Sequence, residues 1–137
     1  MTFHGAKLAI LVGDHVVTLL RDDLSEIDYA NHWDLPGGGR EGNESPADCV
    51  LRELKEELGL VYQKTDLHNG FECRSDGGTS WFFVSNQSGF DHTSVGFGSE
   101  GQGWKLANID WFLNEARAVP ILVSRLRGYL EKGHPCG

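Results

Sequence analysis

Apolar and polar positions change period along this chain, and the changes mark its elements. "KLAILV" and "VVTLLR" are apolar runs on either side of "GDH", where Gly13 and Asp14 suit a tight turn; together they predict a β-hairpin. "DDLSEIDYANH" is polar and predicts a loop, and "WDLP" predicts a short strand ending at Pro36, followed by three glycines. From residue 45 the period becomes helical. Ser45 is placed to cap the free amides, Pro46 fits the first helical position, and Gly59 is a natural stop. Between them Ala47, Val50, Leu51, Leu54 and Leu58 share one helical side.

Beyond Gly59, "LVYQ", "LHNGFECR" and "SWFFVSN" have strand character, with "SDGGT" as a turn. "SGFDHTSVGFGSEGQG" is Gly-rich and polar and predicts a long loop. "WKLA" predicts a last short strand, "NIDWFLN" a short helix capped by Asn108, and "VPILVSRLRGYLEK" an amphipathic helix entered at Pro120. "GHPCG" reads as a frayed tail. Strands, helix, strands and helices in this order predict an α/β fold, a mixed sheet packed between helices. The expected organisation is a single domain over 1–132 with a flexible tail over 133–137.

Composition narrows the function. The chain has 137 residues, 39% hydrophobic and 23% charged, ordinary for a one-core globular domain. Its formal net charge of -8 argues against non-specific binding to long nucleic acid, which needs a basic face to neutralise phosphates. A small polyanionic substrate stays open if metal ions supply positive charge. The three cysteines, Cys49, Cys73 and Cys136, have no zinc or redox spacing and read as reduced thiols of a cytoplasmic protein. "AKLAILVG" is too short to span a membrane. The six histidines are scattered and read as surface or loop residues, although His32, beside the Trp33 strand, is near enough to be considered for substrate contact.

The chemistry concentrates on the first helix. Glu53, Glu56 and Glu57 stand at i, i+3 and i+4, so their carboxylates share one face beside the apolar side. Like charges at this spacing repel by roughly 0.2–0.5 kcal/mol per pair. Spacing alone leaves two readings: a solvated acidic face, partly neutralised by Arg52, or a seat for magnesium or manganese.

The surrounding pattern resembles the Nudix box, G-x5-E-x7-R-E-U-x-E-E-x-G-U with U apolar. Gly38, Glu44, Arg52, Glu53, Leu54, Glu56, Glu57, Gly59 and Leu60 occupy its fixed positions. "WDLPGGG", "SWFFV", "SEGQGW" and "VPILVSRL" are similar to the small MutT-type branch, which extends the resemblance over most of the chain. It implies an α/β/α sandwich and a hydrolase of nucleoside diphosphate-linked substrates. Mg2+, with Mn2+ as an alternative, would be held on the box helix. The branch typically converts nucleoside triphosphates to monophosphate and pyrophosphate.

The same resemblance implies residue roles. Glu56 and Glu57 would be metal ligands, and Glu53 either a third ligand or the base that deprotonates water. Arg52 would orient Glu53. Glu44 would be a supporting carboxylate or a helix N-terminal charge. The Gly37 carbonyl would be a further ligand, and Gly38 and Gly39 would let backbone approach the phosphates, against the plainer reading of a flexible turn. Glu100 of "SEGQGW" would reach across to the metal, against the plainer reading of a solvated loop acid. One of Trp81, Phe82, Phe83 and Trp104 could line a base pocket, though alternation makes them mostly core. Ala118 stands where MutT-type enzymes acting on oxidised guanine nucleotides have an Asn that reads the base, with Arg117 and Asn114 as polar alternatives nearby. Competing substrates are ADP-ribose, a nucleotide sugar, a dinucleoside polyphosphate or the 5′ end of RNA. A nucleotide-binding domain without catalysis is the reading from another class, and it sits poorly with a complete set of box glutamates. The expected partner is a small nucleotide, with no membrane, in a monomer or homodimer.

Overall fold

Residues 2–136 are described by a computed structural model, and the predicted hairpin organises it. Strands β1 (Gly5–Val12) and β2 (His15–Leu20) pair antiparallel beside their turn, Leu11 opposite Val16 and Val12 opposite His15. They then diverge. The start of β1 pairs antiparallel with β4 (Gly37–Gly39), while β2 pairs with the short β3 (Trp33–Asp34).

Between β3 and the end of the chain lie α1 (Pro46–Leu58), β5 (Asn69–Ser75), β6 (Gly78–Asn86), β7 (Gly103–Asn108), α2 (Ile109–Asn114) and α3 (Pro120–Lys132). The main path of the sheet is β3-β2-β1-β6-β5, with β4 on β1 and β7 on β2. The β1–β6 pairing is parallel, Ala6 to Trp81 through Leu11 to Asn86, so the sheet is mixed.

Period-two alternation sorts the strand side chains into two cores. Leu8, Ile10, Val17, Leu19 and Phe83 pack with Val50, Leu54 and Leu58 of α1. Ala9, Val16, Phe82 and Val84 face the other way, onto Phe112 of α2 and Leu122 and Leu126 of α3. The result is the expected α/β/α sandwich. Helix α1 starts and stops as predicted. Ser45 Oγ accepts from the Asp48 amide at 3.1 Å, and Gly59 takes the left-handed conformation (φ 66°) with its amide donating to the Lys55 carbonyl at 2.9 Å. Cys49, absent from the predicted apolar side, is fully buried there.

The structure corrects several expectations. The three glycines after Pro36 form strand β4 rather than a turn, because a glycine backbone comes close to β1: a Cβ at Gly37 would lie 2.8 Å from Lys7 Cα. "LVYQ" is not a strand; it leads into a 3-10 turn at Lys64–Asp66, where the Gln63 amide donates to the Asp66 carboxylate. Cys73 and Cys136 form a disulfide, with Cα atoms 5.6 Å apart, and Cys49 alone is a free, buried thiol. The reading of three reduced thiols is therefore wrong. Within the stretch expected as a tail, Pro135 is buried and the His134 ring sits 4.9 Å from that of Phe71. Among the described residues, no helix is long and apolar enough to cross a membrane.

Candidate active site

Box residues converge because α1 packs against β4. A Cβ on Gly38 would sit 2.7 Å from Glu53 Cδ, so glycine is what lets the Glu53 side chain lie against the strand. Arg52 is the hub of the cluster. Its Nε donates to Glu44 Oε2 (2.6 Å), its Nη1 to Glu53 Oε1 (2.8 Å) and Glu56 Oε1 (3.1 Å), and its Nη2 to the Gly39 carbonyl (2.9 Å). Glu44 in turn accepts from the Glu41 amide at 2.8 Å. The Arg52 hydrogen bond holds the Glu44 carboxyl below its ordinary range, and Glu44 first, then Glu53, keep the guanidinium more firmly protonated. Charge-assisted bonds at these distances fix side-chain rotamers, so Glu53 and Glu56 are presented in a set geometry.

Glu57 lies deeper. Its Oε1 accepts from the Gly37 amide at 2.8 Å. Burial pushes its carboxyl up to about 8, with Glu53 and Asp34 adding to the rise and the Gly37 hydrogen bond and Lys7 opposing it. Lys7 Nζ donates to Asp34 Oδ2 (2.9 Å) and to the carbonyls of Leu35 and Gly37 (3.2 Å each). The Gly37 carbonyl, expected to face a metal, is thus engaged by an ammonium in this state. Arg21 Nη1 shares Asp34 Oδ2 at 3.0 Å.

The Gly-rich loop reaches the site by completing the end of α1. The amides of Gly96 and Gly98 donate to the carbonyls of Leu58 (2.8 Å) and Glu57 (2.9 Å), which lack intrahelical partners at a helix terminus. Further on, the Gly101 amide donates to Asp22 Oδ2 (3.1 Å) and Gln102 Nε2 to the Arg21 carbonyl (2.8 Å). Glu100 lies between these anchors. With Ser99 it faces Glu53, Glu56 and Glu57 across a pocket of about 310 Å3. Four carboxylates from two distant stretches of chain therefore line one cavity.

The NUDIX domain profile matches residues 2–121. This chain belongs to the NUDIX family. It is 50% identical over 57 residues to an RNA pyrophosphohydrolase of Acidiphilium cryptum, a match covering 42% of this chain and 34% of that protein. It is 33% identical over 89 residues to the 8-oxo-dGTP diphosphatase of Escherichia coli K12, covering 57% of this chain and 65% of that one. The chain thus spans less than two thirds of the length of these curated relatives. Its fold matches the MutT protein of Methanosarcina mazei with a TM-score of 0.66 at 21% identity, covering 93% and 94% of the two chains.

The four carboxylates that line this pocket of the NUDIX domain fit a hard divalent cation. Among the described residues, no three acidic side chains stand close enough to form a ready-made cation site. Glu56 is held by Arg52 and Glu57 by the Gly37 amide, so seating an ion requires these side chains to turn.

Two further cavities continue the cleft. One, of about 280 Å3, shares Glu57 and Glu100 with the acidic pocket and adds Arg21 and Asp34. The next, of about 360 Å3, shares Arg21 and Asp34 and runs past Lys7, Gly38 and Gly39 to Tyr29, Val119, Leu122 and Arg125. Gly38 and Gly39 therefore wall the larger cavity. Several of its residues were not legible in the sequence. Lys7 sits in an apolar run that reads as plain strand, and Tyr29 in a polar loop. Tyr29 and Asn31 adopt positive φ (52° and 59°), uncommon for residues with a Cβ.

Ala118 and the residues considered for base contact lie elsewhere. Ala118 is buried in the core beside Trp33. Asn114 Nδ2 bonds the Asp110 carbonyl, and Arg117 Nη1 bonds the Asn31 carbonyl. Phe82 and Phe83 are core, Trp81 stacks on Phe83, and Trp104 packs edge-on to Phe90. None of Trp81, Phe82, Phe83, Trp104 or His32 lines these three cavities.

Proposed function

We propose that this chain is a divalent-metal-dependent pyrophosphohydrolase that converts a nucleoside triphosphate to the monophosphate and pyrophosphate. The observation that carries the reading is the continuity of the cleft: a four-carboxylate pocket opens, through Glu57 and Glu100, into cavities flanked by Lys7 and Arg21. A bare acidic pocket in a chain of net charge -8 would repel a triphosphate. Glu56, Glu57 and Glu100 are the residues that would hold Mg2+ or Mn2+, which supplies positive charge to the phosphates and lowers the pKa of a nearby water.

The protein's own groups do the rest. Arg52 locks Glu53 in one rotamer, and Glu53 is the group we assign to accept the proton of the attacking water. The close approach of Gly38 leaves that carboxylate room at the strand edge. Lys7 and Arg21 both hold Asp34 and stand along the path from the acidic pocket to the larger cavity, where the nucleoside is seated.

The test is release of phosphate and pyrophosphate with magnesium across a panel of nucleoside triphosphates, ADP-ribose, a nucleotide sugar, a dinucleoside polyphosphate and a 5′-triphosphorylated oligoribonucleotide. The oligonucleotide arm answers to the relatives named RNA pyrophosphohydrolases. Pyrophosphate release from free triphosphates, abolished in a folded Glu57→Gln variant, is expected. Turnover confined to the RNA end or to the diphosphate-linked compounds would overturn the assigned substrate.

A further inference from the structure

The largest of the three cavities contains a buried charge with no ion-pair partner among the described residues. Arg125, on the inward face of α3, is 7% exposed. Its Nη1 donates to Ser80 Oγ at 2.9 Å, and its Nε is buried with no acceptor. No carboxylate lies within ion-pair distance of it among the described residues, although the chain carries 20 acidic residues. Burial pushes its pKa down from the ordinary guanidinium value, the direction expected for a cation in an apolar wall. Leaving a donor of a buried cation unpaired is unfavourable, and an acceptor supplied by water or by a ligand in the cavity relieves that cost.

The rest of the wall narrows what that something is. Val119, Ile121 and Leu122 offer an apolar face, Gly38 and Gly39 a flat backbone face without side chains, and Tyr29 an aromatic ring at the rim. The lining also carries His4, Lys7, Arg21, Asp28 and Asp34; the apolar part of the wall, with the Arg125 guanidinium beside it, suits a nucleobase held edge-on to Arg125. Building on the pyrophosphohydrolase reading, we propose that Arg125 is a specificity-determining residue that selects a purine presenting two adjacent acceptors, the O6/N7 edge of guanine or hypoxanthine. A guanidinium fork pairs with those two atoms together. Adenine offers N7 but places its N6 amino donor against the guanidinium, and donor faces donor. The assignment passes over Arg117 and Asn114, the polar alternatives near Ala118, for a residue on the inward face of α3.

The experiment compares kcat/KM for GTP, ITP and ATP in the wild type, Arg125→Met and Arg125→Lys. Wild type is expected to favour GTP and ITP alike over ATP by about tenfold or more. Arg125→Met, which keeps the length and apolar stem, should bring the three substrates within about threefold of one another. Arg125→Lys should retain part of the preference. A purely structural Arg125 would lower all three substrates together and leave their ratios unchanged, and that result overturns the proposal, as does a wild type that favours ATP. Should no triphosphate be hydrolysed, the functional reading fails by itself. Calorimetry of GMP and AMP binding to the wild type and to Arg125→Met then decides the base assignment: GMP preference lost in the variant supports it, and equal binding of both by the wild type overturns it. If Arg125→Met melts far below the wild type, Ser80→Ala takes its place: it frees Nη1 while keeping the charge, and should weaken the GTP preference.

Discussion

Glu57 carries the sharpest consequence at the scale of one residue. Its carboxyl is pushed up to about 8 by burial, whereas the unfolded chain ionises it near the ordinary carboxylate value of 4.5. Between those values the folded state holds a proton that the unfolded state has lost, so this residue's contribution to stability is present below about pH 4.5 and is lost as pH rises toward 8. Glu57→Gln removes the dependence while its amide oxygen can still accept from the Gly37 amide. In chelator, the variant should melt at or near the wild-type temperature at low pH and above it at about pH 8. Melting curves across that window check it, and parallel curves would show that Glu57 ionises freely in the native state. The Arg52 guanidinium does not reach Glu57. Glu53 and Glu56 share that guanidinium, while Glu57 is left with the more distant Lys7.

At the scale of elements, the site depends on a loop docked to a helix end. Gly98 donates to the Glu57 carbonyl, and a Cβ on Gly98 would collide with the carbonyl oxygen of Glu56. Gly98→Ala therefore displaces Glu100 without altering any carboxylate. If Glu100 acts only when held against the α1 cluster, Gly98→Ala and Glu100→Gln should both lower kcat, by about tenfold to a hundredfold, with smaller changes in KM. Steady-state kinetics on the pair test this. A normal rate in both would return Glu100 to the role of a solvated loop acid. The anchors at Gly96, Gly98, Gly101 and Gln102 also temper the mobility that the glycine content of this segment suggests, since each ties the loop to an ordered carbonyl or carboxylate.

For the whole molecule, the proposed metal site would couple charge to stability. A cation that binds the native carboxylates and not the unfolded chain stabilises by mass action, about 2.7 kcal/mol at a hundredfold excess over its dissociation constant. Magnesium should therefore raise the wild-type melting temperature by several degrees and that of Glu57→Gln by less. No shift at millimolar metal, with or without nucleotide, would count against a native cation site. By itself the sequence determined the box helix with both its caps, the hairpin, the closing helices and the α/β/α layering, because these follow from local periodicity, capping chemistry and a motif of fixed spacing. It also placed Glu53, Glu56 and Glu57 on one face, which helical geometry dictates at i, i+3 and i+4. Only the tertiary structure decided that the glycines after Pro36 are a strand, that Cys73 meets Cys136, and that Lys7, Tyr29 and Arg125 face one cleft. Those contacts join residues tens of positions apart, and no local pattern encodes them. Whether an arginine on an amphipathic helix meets water, a carboxylate or an empty cavity depends on what the opposing layer leaves unfilled, and packing alone settles that.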